Sequence, residues 1–96
     1  MYTVSLQVIP IIKGEKELAG IIDAVVEVIK VSGLKYEVNA HSTVVEGEKE
    51  DLLKLLQDVI NTCERLSKRT VITFQIDLKP GGVSIDEKTK KYRMGP

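Results

Sequence analysis

Two long helical patterns flank a β-hairpin in this chain, and that order leaves few folds open. The hairpin spans Tyr36–Gly47 and reads Y-E-V-N-A-H-S-T-V-V-E-G. Its first arm alternates apolar and polar residues, it turns at Ala40–Ser42, and Thr43-Val44-Val45 resumes the strand before Glu46-Gly47. Side chains on a strand point alternately to opposite faces. Tyr36, Val38 and Ala40 therefore share one face, and Glu37, Asn39 and His41 the other. Val45 is the core residue expected of the second arm, and a bulge near the turn would alter that register.

The segments around the hairpin complete the pattern. Thr3–Ile9 alternates, with Val4, Leu6 and Val8 on one side and Thr3, Ser5 and Gln7 on the other, and Pro10 ends the strand because it has no N–H to donate. A helix opens at Glu15 or Glu17. Leu18, Ile21, Ile22, Val25, Val28, Ile29 and Ser32 follow the helical period and make one apolar stripe, and Gly33 caps it. A second helix runs over Glu48–Ser67, with Leu52, Leu55, Leu56, Val59, Ile60, Cys63 and Leu66 on its stripe. The last strand is Thr70–Leu78, with Ile72, Phe74, Ile76 and Leu78 toward the core and Thr73, Gln75 and Asp77 away from it. Pro80-Gly81-Gly82 breaks it, and Val83–Arg93 reads as a charged tail with Ile85 and Tyr92 as its anchors.

The order β-α-β-β-α-β predicts one α+β domain over residues 1–96, with 80–96 as the tail. The right-handed crossover rule favours a four-stranded antiparallel sheet in the order 4-1-3-2, with both helices on one face. The opposite face then carries Ser5, Gln7, Glu37, Asn39, Thr73 and Gln75. These are mostly small, neutral hydrogen-bonding groups, suited to a polar aromatic ligand or to a second subunit. A bare wet face is the plain alternative. The last strand is long, apolar and at an edge, which favours oligomerisation.

Several function classes are excluded by what the chain lacks. Lysine plus arginine equals aspartate plus glutamate, so the net charge is zero and no basic surface speaks for nucleic acid. Cys63 is the only cysteine and His41 the only histidine, too few for a metal centre or a disulfide. Cys63 lies on a core stripe and reads as an inert small hydrophobe. No apolar run is long enough to span a bilayer and no signal-peptide pattern opens the chain, so a cytoplasmic protein is expected. Ser5, Ser42 and Thr43 would need His41 as a base to act as nucleophiles. Ser42 points away from it in an extended strand, so the turn reads as structural. Pro80-Gly81-Gly82 does not match a phosphate loop.

The hairpin also carries a resemblance. Gly33-Leu34-Lys35-Tyr36-Glu37-Val38, followed by Ser42-Thr43-Val44-Val45-Glu46-Gly47-Glu48, resembles the small YkoF-like thiamine-binding proteins. That family leads into its second strand with G-[LM]-K-Y-E and leaves the third with T-[VT]-[VI]-E-G-E. Val4-Ser5-Leu6-Gln7-Val8-Ile9-Pro10 is similar to its first strand, which ends in V-[VI]-P. Lys68-Arg69, Ile76-Asp77, Gly81-Gly82 and Glu87–Arg93 extend the likeness over nearly the whole chain.

The resemblance implies a ferredoxin-like fold, a non-catalytic role and homo-oligomers, commonly tetramers built as dimers of dimers. It implies thiamine or its hydroxymethylpyrimidine half as ligand, with no other cofactor, in salvage, transport or buffering. An aminopyrimidine needs neutral groups that both donate and accept hydrogen bonds, which Ser5, Gln7, Asn39, Thr43, Thr73 and Gln75 supply. A thiazolium needs negative charge, for which Glu37, Glu46 and Asp77 are candidates. The stacking aromatic would be Tyr2, Tyr92 or a residue of a neighbouring subunit. Two other readings share the β-α-β-β-α-β order: a regulatory module of the ACT type that binds another small metabolite, and a purely structural homo-oligomer.

Overall fold

The first strand is the centre of the structure. In the computed structural model, which describes residues 1–93, β1 (Tyr2–Pro10) pairs on one side with β3 (Thr43–Gly47) and on the other with β4 (Thr70–Asp77). β2 (Lys35–Val38) pairs with β3 at the outer edge, so the order β2-β3-β1-β4 is the expected 4-1-3-2 read from the other side. Every pairing is antiparallel. The register from Lys35↔Glu46 to Val38↔Thr43 runs without a bulge, and the Asn39 N–H donates to the Ser42 carbonyl at 2.8 Å to close the turn.

Two helices cover one face. α1 (Glu15–Val31) buries Ile21, Val25 and Ile29, and α2 (Lys49–Leu66) buries Leu52, Leu55, Val59, Thr62 and Cys63. They close over Val4, Leu6 and Val45 to form the core, with Val8, Tyr36, Ile72, Phe74 and Ile76 partly buried around it. Burying a side chain of this size stabilises the fold by about 1.5–3 kcal/mol. That offsets the poor helix propensity of the β-branched residues in α1. Gly33 ends α1 at φ +77°, the left-handed conformation that a glycine cap serves. This is a ferredoxin-like sandwich, as the sequence predicts. No described helix is long and apolar enough to cross a membrane.

Three expectations are corrected. Leu78 lies beyond β4 and is 63% exposed, and Val38 is 53% exposed at the end of the short edge strand β2. Strand parity puts Val38 on the helix side, where it borders an open recess beside α1 instead of entering the core. The third correction is larger: Val83–Arg93 is not a tail. Ile85–Arg93 forms a helix, α3, on the face that α1 and α2 leave open. The Ser84 Oγ accepts the Glu87 N–H at 3.0 Å, an S-x-x-E cap. Asp86 and Glu87 lie in the first turn and Lys90, Lys91 and Arg93 in the last, which suits the helix dipole. Val83 and Ile85 are buried, whereas Tyr92 is 73% exposed and is not an anchor of the segment. The remainder of the expected tail, 94–96, lies outside the described residues.

Candidate functional site

The open face of the sheet is built from cross-strand pairs. Thr3 lies between Glu46 and Asp77, Ser5 between Val44 and Gln75, Gln7 beside Thr73, and Ile9 beside Val71. Glu37 continues the Ser5 row across Val44 onto β2. Charge and hydrogen-bonding capacity therefore concentrate at the Thr3 end and fade into exposed aliphatic surface at Ile9 and Val71.

α3 roofs the polar end of this face. Its first N–H, from Ile85, donates to Glu46 Oε1 at 2.7 Å. Lys35 on β2 pairs with Asp86 at 2.6 Å, Lys88 pairs with Asp77 on β4 at 2.5 Å, and Arg93 pairs with Glu37 on β2. The hydrogen bond to Lys35 and their attraction hold the Asp86 carboxyl below the usual carboxylate range, and the same hydrogen bond raises Lys35. The hydrogen bond to Glu37 raises Arg93.

Between roof and sheet lies a cleft of about 580 Å³. Thr3, Ser5, Asn39, Gln75 and Thr89 contribute hydroxyl and amide groups to its lining, and Val44, Leu78 and Ile85 contribute apolar surface. Glu37, Asp77, Lys88 and Arg93 supply the charge. Thr3 is only 3% exposed, and its Oγ1 is buried without a hydrogen-bond partner. A buried polar atom left unpaired costs about 1–3 kcal/mol. Among the described residues, no aromatic, histidine or cysteine belongs to the lining.

The sequence profile of a family described as thiamine-binding protein matches residues 4–93. The chain belongs to this thiamine-binding protein family. A UPF0045 protein of Clostridium perfringens is 38% identical over 91 residues, which cover 94% of this chain and 95% of that relative. Among solved structures, a candidate thiamine biosynthesis/salvage protein of Thermotoga maritima superposes with a TM-score of 0.90 at 39% identity, over 96% of this chain and 98% of its own. A domain of unknown function from Bacillus cereus gives 0.87 at 35% identity, over 97% of this chain and 90% of its own.

In this family member the residues singled out from sequence fall into four groups. Ser5, Asn39 and Gln75 line the cleft together. Gln7 and Thr73 face each other on the same side of the sheet but one step further along, outside the cleft lining. Glu46 is on the open face, committed to the start of α3. Thr43 is a correction: it pairs with Leu6 and Val38 on the helix-covered face and is 8% exposed. With Val45 in the core, Thr43 two residues earlier must face the same way. It borders a separate recess of about 430 Å³ between α1 and the end of the sheet, which Gln7 and Asn39 also touch. His41 is exposed at the turn and Cys63 is buried, where desolvation raises its thiol pKa. Thr3, Lys88, Thr89 and Arg93 were missed as lining residues. Thr3 shares the parity of Ser5, which was signal enough; the other three depend on α3.

Proposed function

We propose that this protein is a non-catalytic binder of thiamine, or of its hydroxymethylpyrimidine half, and that the ligand occupies the cleft between the open sheet face and α3. The observation that carries this reading is the make-up of the cleft. Hydroxyl and amide groups of Thr3, Ser5, Asn39 and Gln75 stand beside the carboxylates Glu37 and Asp77. An aminopyrimidine presents an amino donor and ring-nitrogen acceptors, which neutral groups of both kinds match. The thiazolium carries a fixed positive charge, which a carboxylate offsets. The solved Thermotoga maritima relative, described as a candidate thiamine biosynthesis/salvage protein, points to the same ligand class. A cytoplasmic role in salvage, transport or buffering follows from that reading.

The protein is further proposed to act as a homo-oligomer, in the first instance a tetramer built as a dimer of dimers. The cleft lining contains no aromatic residue, so a ring bound there would take its stacking partner from another subunit. Tyr92, 73% exposed, is the candidate to serve a neighbour in this way. The uncovered Ile9 and Val71 pair and the outer edge of β4 favour subunit contact over solvent.

Calorimetric titration with thiamine, hydroxymethylpyrimidine and a panel of amino acids tests the function. Saturable heat with the two thiamine-type ligands and none with the amino acids is expected. Binding of an amino acid alone would replace this reading with a regulatory metabolite module.

A further inference from the structure

The four charges of the cleft are already matched to one another. Asp77 is held by Lys88 and Glu37 by Arg93, and all four line the same space. Both cations come from α3, and both carboxylates from the sheet edges β4 and β2. The seat of α3 does not depend on these two pairs alone. Glu46 holds its first turn and Lys35 holds Asp86, both without contributing to the cleft lining. Val83 and Ile85 anchor the same end by burial. Lys88 and Arg93 are thus placed to do something other than dock the helix.

We infer that Lys88 and Arg93 set the charge of the ligand this cleft accepts, acting as internal counter-ions that compete with a cationic ligand for Asp77 and Glu37. This rests on the functional reading above and names its selectivity. A charge-assisted hydrogen bond to a carboxylate is the stronger kind, and those carboxylate positions are occupied before any ligand arrives. A neutral pyrimidine uses the hydroxyl and amide groups and leaves both ion pairs in place. A thiazolium approaching either carboxylate meets the ammonium or guanidinium already beside one of its oxygens, and that like-charge repulsion is relieved when the internal cation moves out to water. Binding of the cation is then an exchange of one ion pair for another. Screening by salt affects both sides of such an exchange, so the affinity of the unaltered protein for thiamine varies little with ionic strength.

Removing one internal cation breaks this balance. With Lys88→Gln, Asp77 is unpaired and the cleft carries a net negative charge; Arg93→Gln does the same for Glu37. Both pairs are solvent-exposed and therefore weak, so each substitution raises the ratio of thiamine to hydroxymethylpyrimidine affinity only roughly two- to fivefold. In the variants, but not in the unaltered protein, that gain falls away as salt is added.

The test is calorimetry on the full chain and on both variants, with thiamine and hydroxymethylpyrimidine as probes, at low and at physiological salt. A raised ratio that collapses with salt supports the inference. A ratio that is unchanged or lowered in both variants overturns it and makes Lys88 and Arg93 structural ties only. If the unaltered protein binds neither probe, the functional reading falls and takes this inference with it. A protein that binds both probes with unshifted variants loses the inference alone.

Discussion

Glu46 on β3 accepts the backbone N–H of Ile85 at 2.7 Å, and through that contact the sheet starts the helix that roofs it. A helix N-terminus leaves its first N–H groups without partners inside the helix, and a carboxylate there also meets the positive end of the dipole. A sheet side chain thus adds to the local cap, in which Ser84 Oγ accepts the Glu87 N–H. It couples the third strand to a segment 39 residues further along the chain.

Replacing that carboxylate should loosen the roof and spare the sandwich. Glu46→Ala is expected to cost about 0.5–2 kcal/mol, the range of a lost cap. Hydrogen exchange of the α3 amides should quicken, while the core amides of β1 and α2 keep their protection. Equal loss of protection in both regions would make α3 an inseparable part of the core.

The segment before α3 makes a sharper steric demand. Gly82 has φ +84°, and a Cβ there would lie 2.5 Å from the Met1 carbonyl oxygen, which accepts the Val83 N–H. Gly82→Ala should therefore destabilise the protein by about 1–3 kcal/mol. Gly20, exposed within α1, has no neighbour within 4 Å of its Cβ position, so Gly20→Ala should stabilise by about 0.4–1 kcal/mol. Thermal unfolding of the two variants measures both, and shifts of the same sign would contradict the geometry.

Much of this architecture is legible in the sequence, for identifiable reasons. The strands alternate and the two long helices carry continuous apolar stripes, so β1, β4, α1 and α2 emerge within a residue or two of their bounds. Gly33 marks the end of α1, and the choice of Val45 sets the register of the hairpin. α3 escapes notice because Ile85–Arg93 is almost wholly charged, with Ile85 its only buried residue. Besides its local Ser84 cap, it is seated by partners far away in sequence, chiefly Glu46 and Lys35. The site suffers accordingly. Ser5, Asn39 and Gln75 are found by strand parity, whereas the α3 side of the cleft is not. Thr43 is misplaced by reading its chemistry ahead of its parity.

The seat of α3 should depend on pH in both directions. Asp86 has a depressed pKa in the folded protein, so its contribution is present above the unfolded value and lost as pH falls through the folded one. Lys35 is raised, so its contribution is complete below its unfolded pKa and lost as pH rises through the folded value. Carbon chemical shifts of Ile85–Arg93 should therefore move below about pH 4 and again in the strongly alkaline range, with a plateau between. A shift centred near neutrality would point to a different group.

Thr3 separates stability from binding. Thr3→Val keeps the shape and removes the buried Oγ1 that has no partner. The free protein should be at least as stable as before, because an unsatisfied group is gone. Affinity for thiamine should fall by roughly five- to tenfold, as expected for the loss of one hydrogen bond of about 1–1.5 kcal/mol. Lower stability with unchanged affinity would mean that the hydroxyl serves the fold.

The most direct test of the account is where the ligand sits. Unlabelled thiamine titrated into isotope-labelled protein should shift the amides of Thr3, Ser5, Gln75 and Asp77 together with those of α3, and leave Leu18, Ile22 and the turn at Ala40–Ser42 unmoved. Shifts confined to those last residues, beside the recess under α1, or no shifts at saturating thiamine, would contradict the assignment of the roofed sheet face as the binding site.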